Sequence, residues 1–258
     1  MRIGITERGD AGIDMQWVPK MKSGFCDGAV LITKNITSLF AENVIRCQTS
    51  GMKFIIHATC TGWGGTWTEP NVPGYKDQLR HLAELCDRGF PLKNCVLRID
   101  PIIPSKKGLQ LVREVLANAE DKGILPTARI RVSVYDEYLH VKKRLNRTGF
   151  QSFYPGYDFQ ASEEQFEQVA DLLSEYDYTF HTCAEPVLKQ KEKKEGQIVQ
   201  SGCISKQDLV IMGLKVPYTM SVNRQSRNGC MCLSCKTELL TERKQCPHKC
   251  IYCYWKNS

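Results

Sequence analysis

The sequence predicts an α/β fold: a full or partial (β/α) barrel of the TIM type with a cysteine-rich C-terminal extension. Three features lead there. Short β-branched runs alternate with amphipathic stretches. The runs are apolar almost throughout, as parallel strands covered on both faces are. Beyond about residue 222 periodicity fades and cysteines accumulate instead. Repeated β-then-α units imply right-handed crossovers and a parallel sheet. An open, doubly wound sheet is the alternative.

The elements follow in order. Strands are expected at residues 2–6, 29–33, 53–59, 95–100, 129–134 and 178–183. A helix over 76–88 places Leu79, Leu82, Ala83 and Cys86 on one face, and Gly89 stops it. A second, over 105–122, repeats Leu109, Val112, Leu116 and Ala119 before Gly123. A third, over 162–176, opens with the capping pair Ser162 and Gln165 and continues through Phe166, Val169, Leu173 and Tyr176. Residues 189–200 are charge-rich and read as a mobile connector. The expected division is a barrel core over 1–188 and a basic, cysteine-rich segment over 189–258 that carries the metal motif.

At 258 residues, 42% hydrophobic and 24% charged, the chain suits an ordinary soluble domain. No apolar run reaches the roughly 18 residues of a membrane span. Its first residues lack a signal peptide's apolar stretch, so the expected compartment is the reducing cytoplasm, with no membrane partner. The net charge is +7, and residues 186–258 alone hold 13 Lys/Arg against 5 Asp/Glu. Such a localised basic segment suits a polyanion, which makes nucleic acid a candidate partner; a solvated surface is the plainer reading.

Chemistry in parallel α/β folds gathers at the C-terminal ends of the strands. Those ends supply Arg8 and Asp10, Lys34, the turn Thr61, Gly62 and Gly64, then Arg98, Asp100 and Glu185. Lys34, Arg98, Asp100 and Glu185 are the catalytic candidates. Arg8, Asp10, Thr61, Gly62 and Gly64 are candidates for cofactor contact, the glycines because they let backbone approach an adenosine. Internal salt bridges and ordinary loop polarity would explain the same residues without function. His57, alternating with apolar neighbours, reads as a satisfied core histidine. No Walker loop, GxGxxG, HExxH or GxSxG motif occurs.

Thirteen cysteines, an odd number without a signal peptide, argue against a disulfide framework. Cys26, Cys47, Cys60, Cys86 and Cys95 are scattered and read as buried hydrophobes. Cys246, Cys250 and Cys253 form a CxxxCxxC triplet with the aromatic Tyr252 before its last member. Three thiolates at this spacing cap three irons of a 4Fe–4S cluster and leave the fourth open. That iron can chelate S-adenosylmethionine, whose reductive cleavage gives a 5′-deoxyadenosyl radical. This is the radical S-adenosylmethionine motif, with Tyr252 in its aromatic, cofactor-binding position. Its chemistry calls for an electron donor, a reductase or flavodoxin-type partner. A competing pattern pairs Cys232 and Cys235 with Cys250 and Cys253 as a zinc ribbon, which would make the chain a nucleic-acid-binding protein without catalysis.

The tail, with Arg227, Cys230 and Cys232 ahead of the triplet, resembles an uncharacterised bacterial and phage-associated family whose radical-S-adenosylmethionine-like cluster lies at the C-terminus. Further resemblance runs through residues 32–35, 61–64, 69–73, 97–102, 182–185 and 202–204. Two stretches depart from that pattern: residues 233–245, and the start at Glu7–Asp10. The family is more distantly similar to spore photoproduct lyase. The resemblance implies a radical enzyme that modifies or repairs a nucleic acid or nucleotide-like substrate, with a peptide or small molecule as the variant. It also picks out Cys183, Cys203, Cys230 and Cys232, four thiolates suited to a second, fully ligated 4Fe–4S cluster or a zinc ion.

Overall fold

Among the described residues eight parallel strands form one sheet: β1 (Ile3–Ile5), β2 (Gly28–Thr33), β3 (Phe54–Thr59), β4 (Cys95–Ile102), β5 (Arg129–Val134), β6 (Phe180–Thr182), β7 (Ile198–Gln200) and β8 (Lys236–Glu238). The structure, a computed structural model, describes residues 1–154, 158–216, 229–242 and 245–254. The strand order is β7–β6–β5–β4–β3–β2–β1–β8. Each step from β1 to β7 moves one place across the sheet, so the order reversal of a doubly wound sheet does not occur within it. A full barrel would need β7 to pair with β8. No such pairing exists among the described residues, and the sheet is open there. The last two strands lie beyond residue 188 and hydrogen-bond into the same sheet, β7 to β6 and β8 to β1.

The helices are α1 (Trp17–Lys22), α2 (Ser38–Thr49), α3 (Tyr75–Asp87), α4 (Lys106–Asp121), α5 (Leu139–Arg147), α6 (Glu163–Ser174), α7 (Pro186–Gln190) and α8 (Lys206–Ile211). Side chains of Thr37 and Ser105 cap α2 and α4, and Ser162 with Gln165 forms the reciprocal capping box of α6. Phe40 and Val44 of α2, Leu79 and Leu82 of α3, Val112 and Val115 of α4, and Phe166 and Val169 of α6 pack on one sheet face, against Leu31, Ile56, Leu97, Ile130 and Val132. Strand alternation sends the next residues to the other face, where Ile3, Ile5, Val30, Ile55 and Val96 meet Ile204, Leu209 and Leu233.

That second face turns polar along β3 to β6. In register, Thr59 lies opposite Arg98, Arg98 opposite Arg131, and Arg131 opposite His181. His57 sits on the same face, fully buried, and neither ring nitrogen has a hydrogen-bond partner. It is therefore a core histidine, but not the satisfied one that the sequence suggests. Burial, reinforced by Arg131, Arg98 and Arg129, pushes its pKa well below the ordinary value. A depressed folded pKa contributes stability above the unfolded value of about 6.5 that is lost as pH falls below it. Urea unfolding at stepped pH should show this loss below about pH 6.5. His57→Met, which removes the titrating group and keeps the volume, should flatten the slope; an unchanged slope would refute this role.

The connector over 189–200 is folded rather than loose. It contains the end of α7 and all of β7, and it ion-pairs Lys191 and Lys193 to Glu167 and Lys194 to Asp177. Exposed pairs of this kind contribute about 0–1 kcal/mol each. Their larger effect is to neutralise lysines that the sequence offers to a polyanion.

Candidate functional site

The triplet loop lies across the C-terminal ends of the central strands. Asp10, after β1, is buried and organises the contact. Its Oδ1 accepts from the Gly12 N–H (2.8 Å) and the Thr33 hydroxyl (2.6 Å). Its Oδ2 accepts from the Lys34 N–H (2.6 Å) and lies 2.8 Å from His248 Nε2. His248 sits inside the triplet, and its Nδ1 is 3.1 Å from the Asn71 carbonyl oxygen. With an acceptor at each nitrogen the ring is a donor on both sides. Burial pushes its pKa down, but the Asp10 carboxylate together with the Asn71 carbonyl holds it above the ordinary value. The loop is also tied by Ile251 N–H to the Thr68 carbonyl (3.0 Å) and by Asn71 Nδ2 to the Pro247 carbonyl (2.7 Å). Arg144 of α5 donates to the carbonyls of Ile251 and Cys253, each at 2.9 Å.

Beside the thiols stands a buried node. Lys34 Nζ donates to Glu69 Oε1 (2.7 Å) and to the Tyr252 hydroxyl (2.8 Å). Thr61 donates to the same Glu69 oxygen at 2.8 Å, and the Tyr252 hydroxyl also contacts it. Burial pushes the Lys34 ammonium down, yet Glu69, with Cys250 and Asp100 behind it, holds its pKa above the ordinary value. Burial pushes the Cys250 thiol up to about 12, against the pull of Lys34. Burial likewise raises Tyr252, with Glu69 adding to it. Cys250 and Cys246 each feel the charge of Cys253, so the three thiols share one electrostatic neighbourhood.

The glycine turn after β3 has internal reasons for its composition. Gly62 adopts φ +85°, a left-handed value that favours glycine. A Cβ on Gly64 would lie 1.9 Å from the Pro73 carbonyl oxygen. Gly64→Ala should therefore cost about 1–3 kcal/mol in chemical denaturation; an effect within 0.5 kcal/mol would show that the turn can shift.

Arg98 and Asp100 form an ion pair on the polar sheet face, and Ser133 donates to the same carboxylate. Arg98 feels both Cys203 and Tyr254. Glu185 is buried at the start of α7, near Tyr154, and its carbonyl accepts the Lys189 N–H. Arg8 is exposed, beside Glu238.

The other cysteines converge as well. The sulfurs of Cys183, Cys230 and Cys232 all lie within 4.8 Å of one another. Cys203 N–H donates to the Cys232 sulfur at 3.1 Å, and the neighbouring Cys183 and Cys203 thiols favour the Cys232 thiolate, which lowers its pKa. Cys232 thus groups with Cys183 and Cys230, with the Cys203 N–H bonded to its sulfur, whereas Cys250 and Cys253 pack with Ile251, Tyr252 and Tyr135. Cys235 packs with the apolar cluster around Ile3 and Ile5.

Sequence reasoning did not single out Glu69, His248, Arg144 or Arg131 as site residues. Glu69 was visible only as part of a matched stretch; the stronger signal was Lys34 itself, since a lysine at a buried strand end needs a counter-charge. Arg224, Arg227, Arg243, Lys244 and Lys256 of the basic segment lie outside the described residues. Among the described residues no helix is long and apolar enough to cross a membrane. Among curated proteins, none matches this sequence. A family model described as "Domain of unknown function (DUF1848)" matches residues 16–255, and with nearly its whole length covered the chain belongs to that family.

Proposed function

We propose that the protein is a radical S-adenosylmethionine enzyme whose 4Fe–4S cluster is held by Cys246, Cys250 and Cys253. One observation carries this reading: the triplet folds over the strand ends, where Lys34, Glu69 and Tyr252 join it to the sheet. The donor set fits the group. Three thiols form a soft set suited to iron–sulfur or zinc. The one imidazole in the loop, His248, is engaged at both nitrogens by Asp10 and Asn71, so it is not a free fourth ligand. When bound, such a cluster supplies the electron that cleaves the S-adenosylmethionine carbon–sulfur bond to methionine and a 5′-deoxyadenosyl radical.

The chain's own residues position and shield. Asp10 and Arg144 fix the loop from two sides. The Lys34 cation beside Cys250 favours thiolate. Buried Tyr252 and the apolar side chains around it keep water from the Cys250 thiol. Arg98 and Asp100 offer a fixed cation and anion to orient a polar substrate.

A nucleobase-like substrate is favoured by the rim. Trp67 stacks on Phe150 with ring centroids 3.9 Å apart and planes 13° from parallel, and remains 42% exposed. It precedes Thr68, which holds the triplet loop. An open aromatic stack accepts any base by its π face. The test is anaerobic reconstitution with iron and sulfide, then S-adenosylmethionine and dithionite. Formation of 5′-deoxyadenosine is expected; its absence from a protein with full iron content would overturn the reading. Trp67→Ala should weaken oligonucleotide binding, and unchanged binding would remove the substrate assignment.

A further inference from the structure

We propose that Cys183, Cys203, Cys230 and Cys232 bind one mononuclear zinc ion that fastens the β7 edge of the open sheet to its β8 edge. The site uses none of the triplet cysteines, so it stands apart from the radical reading.

Placement is the first argument. Cys183 follows β6, Cys203 follows β7, and Cys230 and Cys232 precede β8. These strands flank the gap where β7 and β8 fail to pair. The two sides already touch. Leu233 N–H donates to the Ile204 carbonyl (3.1 Å), and Cys203 N–H donates to the Cys232 sulfur (3.1 Å). A Cβ on Gly202 would lie 2.5 Å from Cys232 N and Cα, so only glycine lets the two backbones meet. Arg131 holds the approach in place by donating to the carbonyls of Ser201 (2.9 Å) and Gly202 (2.8 Å). Among the described residues one backbone-to-backbone hydrogen bond joins these two segments, a weak closure beside what a four-coordinate ion would give.

The spacing selects the ion. Zinc–thiolate bonds of about 2.3 Å in a tetrahedron put the sulfurs about 3.8 Å apart. Three sulfurs within 4.8 Å need little movement to reach that. A cubane seats each thiolate on a different iron, so its thiolates stand farther apart. Binding would release the protons of these crowded thiols. Zinc with four thiolates carries two negative charges. Lys236 lies near Cys232 and Cys203, and Arg98 near Cys203, which offsets them. Amide N–H groups from Cys203 and Ile204 directed at Cys232 stabilise its thiolate further.

The test begins with metal analysis of the full chain in which Cys246, Cys250 and Cys253 are replaced by Ala. One zinc per chain is expected. About four irons per chain, or no metal in a folded protein, would overturn the proposal. Should that variant fail to fold, the wild-type chain stripped by a chelator is titrated with Co²⁺. One equivalent should give the thiolate-to-cobalt charge-transfer bands of a tetrahedral site, displaced by one equivalent of Zn²⁺. Absence of those bands, or their survival in Cys203→Ser and Cys232→Ser, would refute it. Amide exchange over residues 198–204 and 230–238 should quicken at least tenfold on metal removal; unchanged exchange would refute the fastening role.

Discussion

Replacing Cys246, Cys250 and Cys253 together by Ala is expected to remove about four irons per chain and all S-adenosylmethionine cleavage, while the fold survives. Survival follows from the anchoring. The loop is tied through Asp10 and His248, through Arg144 to two carbonyls, and through Asn71 and Thr68, and none of these contacts uses a thiol. Iron analysis, the absorption near 400 nm and the yield of 5′-deoxyadenosine measure the chemistry, and circular dichroism measures the fold. If iron content and cleavage persisted in the triple variant, the cluster would belong elsewhere. Loss of zinc along with the iron in a folded variant would show instead that the two cysteine sets are one system.

The second large effect is expected at Glu69. It is fully buried, and one of its oxygens receives Lys34, Thr61 and Tyr252 together. Glu69→Gln keeps the shape but leaves the Lys34 charge without its counter-ion. Breaking a buried pair from one side costs about 3–5 kcal/mol, whereas replacing both partners by neutral groups costs less. The single variant should therefore lose about 3 kcal/mol in urea unfolding, and Lys34→Met combined with Glu69→Gln should recover a substantial part. A loss under 0.5 kcal/mol in the single variant would mean that the pair is not a structural node. Since the Glu69 charge raises the Cys250 thiol and Lys34 lowers it, the single variant should also make Cys250 ionise more readily.

Much of the architecture was legible in the sequence because it is written in local periodicity. The continuous apolar runs of β2 and β3 and the helical spacing in α3, α4 and α6 are properties of neighbours a few residues apart. Capping at Ser162 and Gln165 is equally local. The short pieces were not legible. Both β7 and β8 have three residues, too few for a period to show, and both exist because the sheet offers them an edge. The connector over 189–200 reads as mobile from its charge. The acidic side chains that neutralise it come from α6 and the turn after it, a partner that no local window contains.

The candidate site divides along the same line. The sequence by itself determined which groups are present to bond: the triplet spacing with Tyr252, a lysine and an aspartate at strand ends, and further cysteines that the family resemblance picked out. Only the tertiary structure decided who meets whom. It placed Asp10 against His248 rather than in the open, brought Glu69 under Lys34 from a loop thirty-five residues away, and gathered Cys183, Cys230 and Cys232 within 4.8 Å. Among the described residues it also left the sheet open, with β7 and β8 at its two edges. Residue type and spacing fix what a side chain can bond to, because donors, charges and thiols are intrinsic. Which partners it reaches depends on long-range packing, where burial forces each charge and each polar group to find a counterpart from whatever strand end lies beside it.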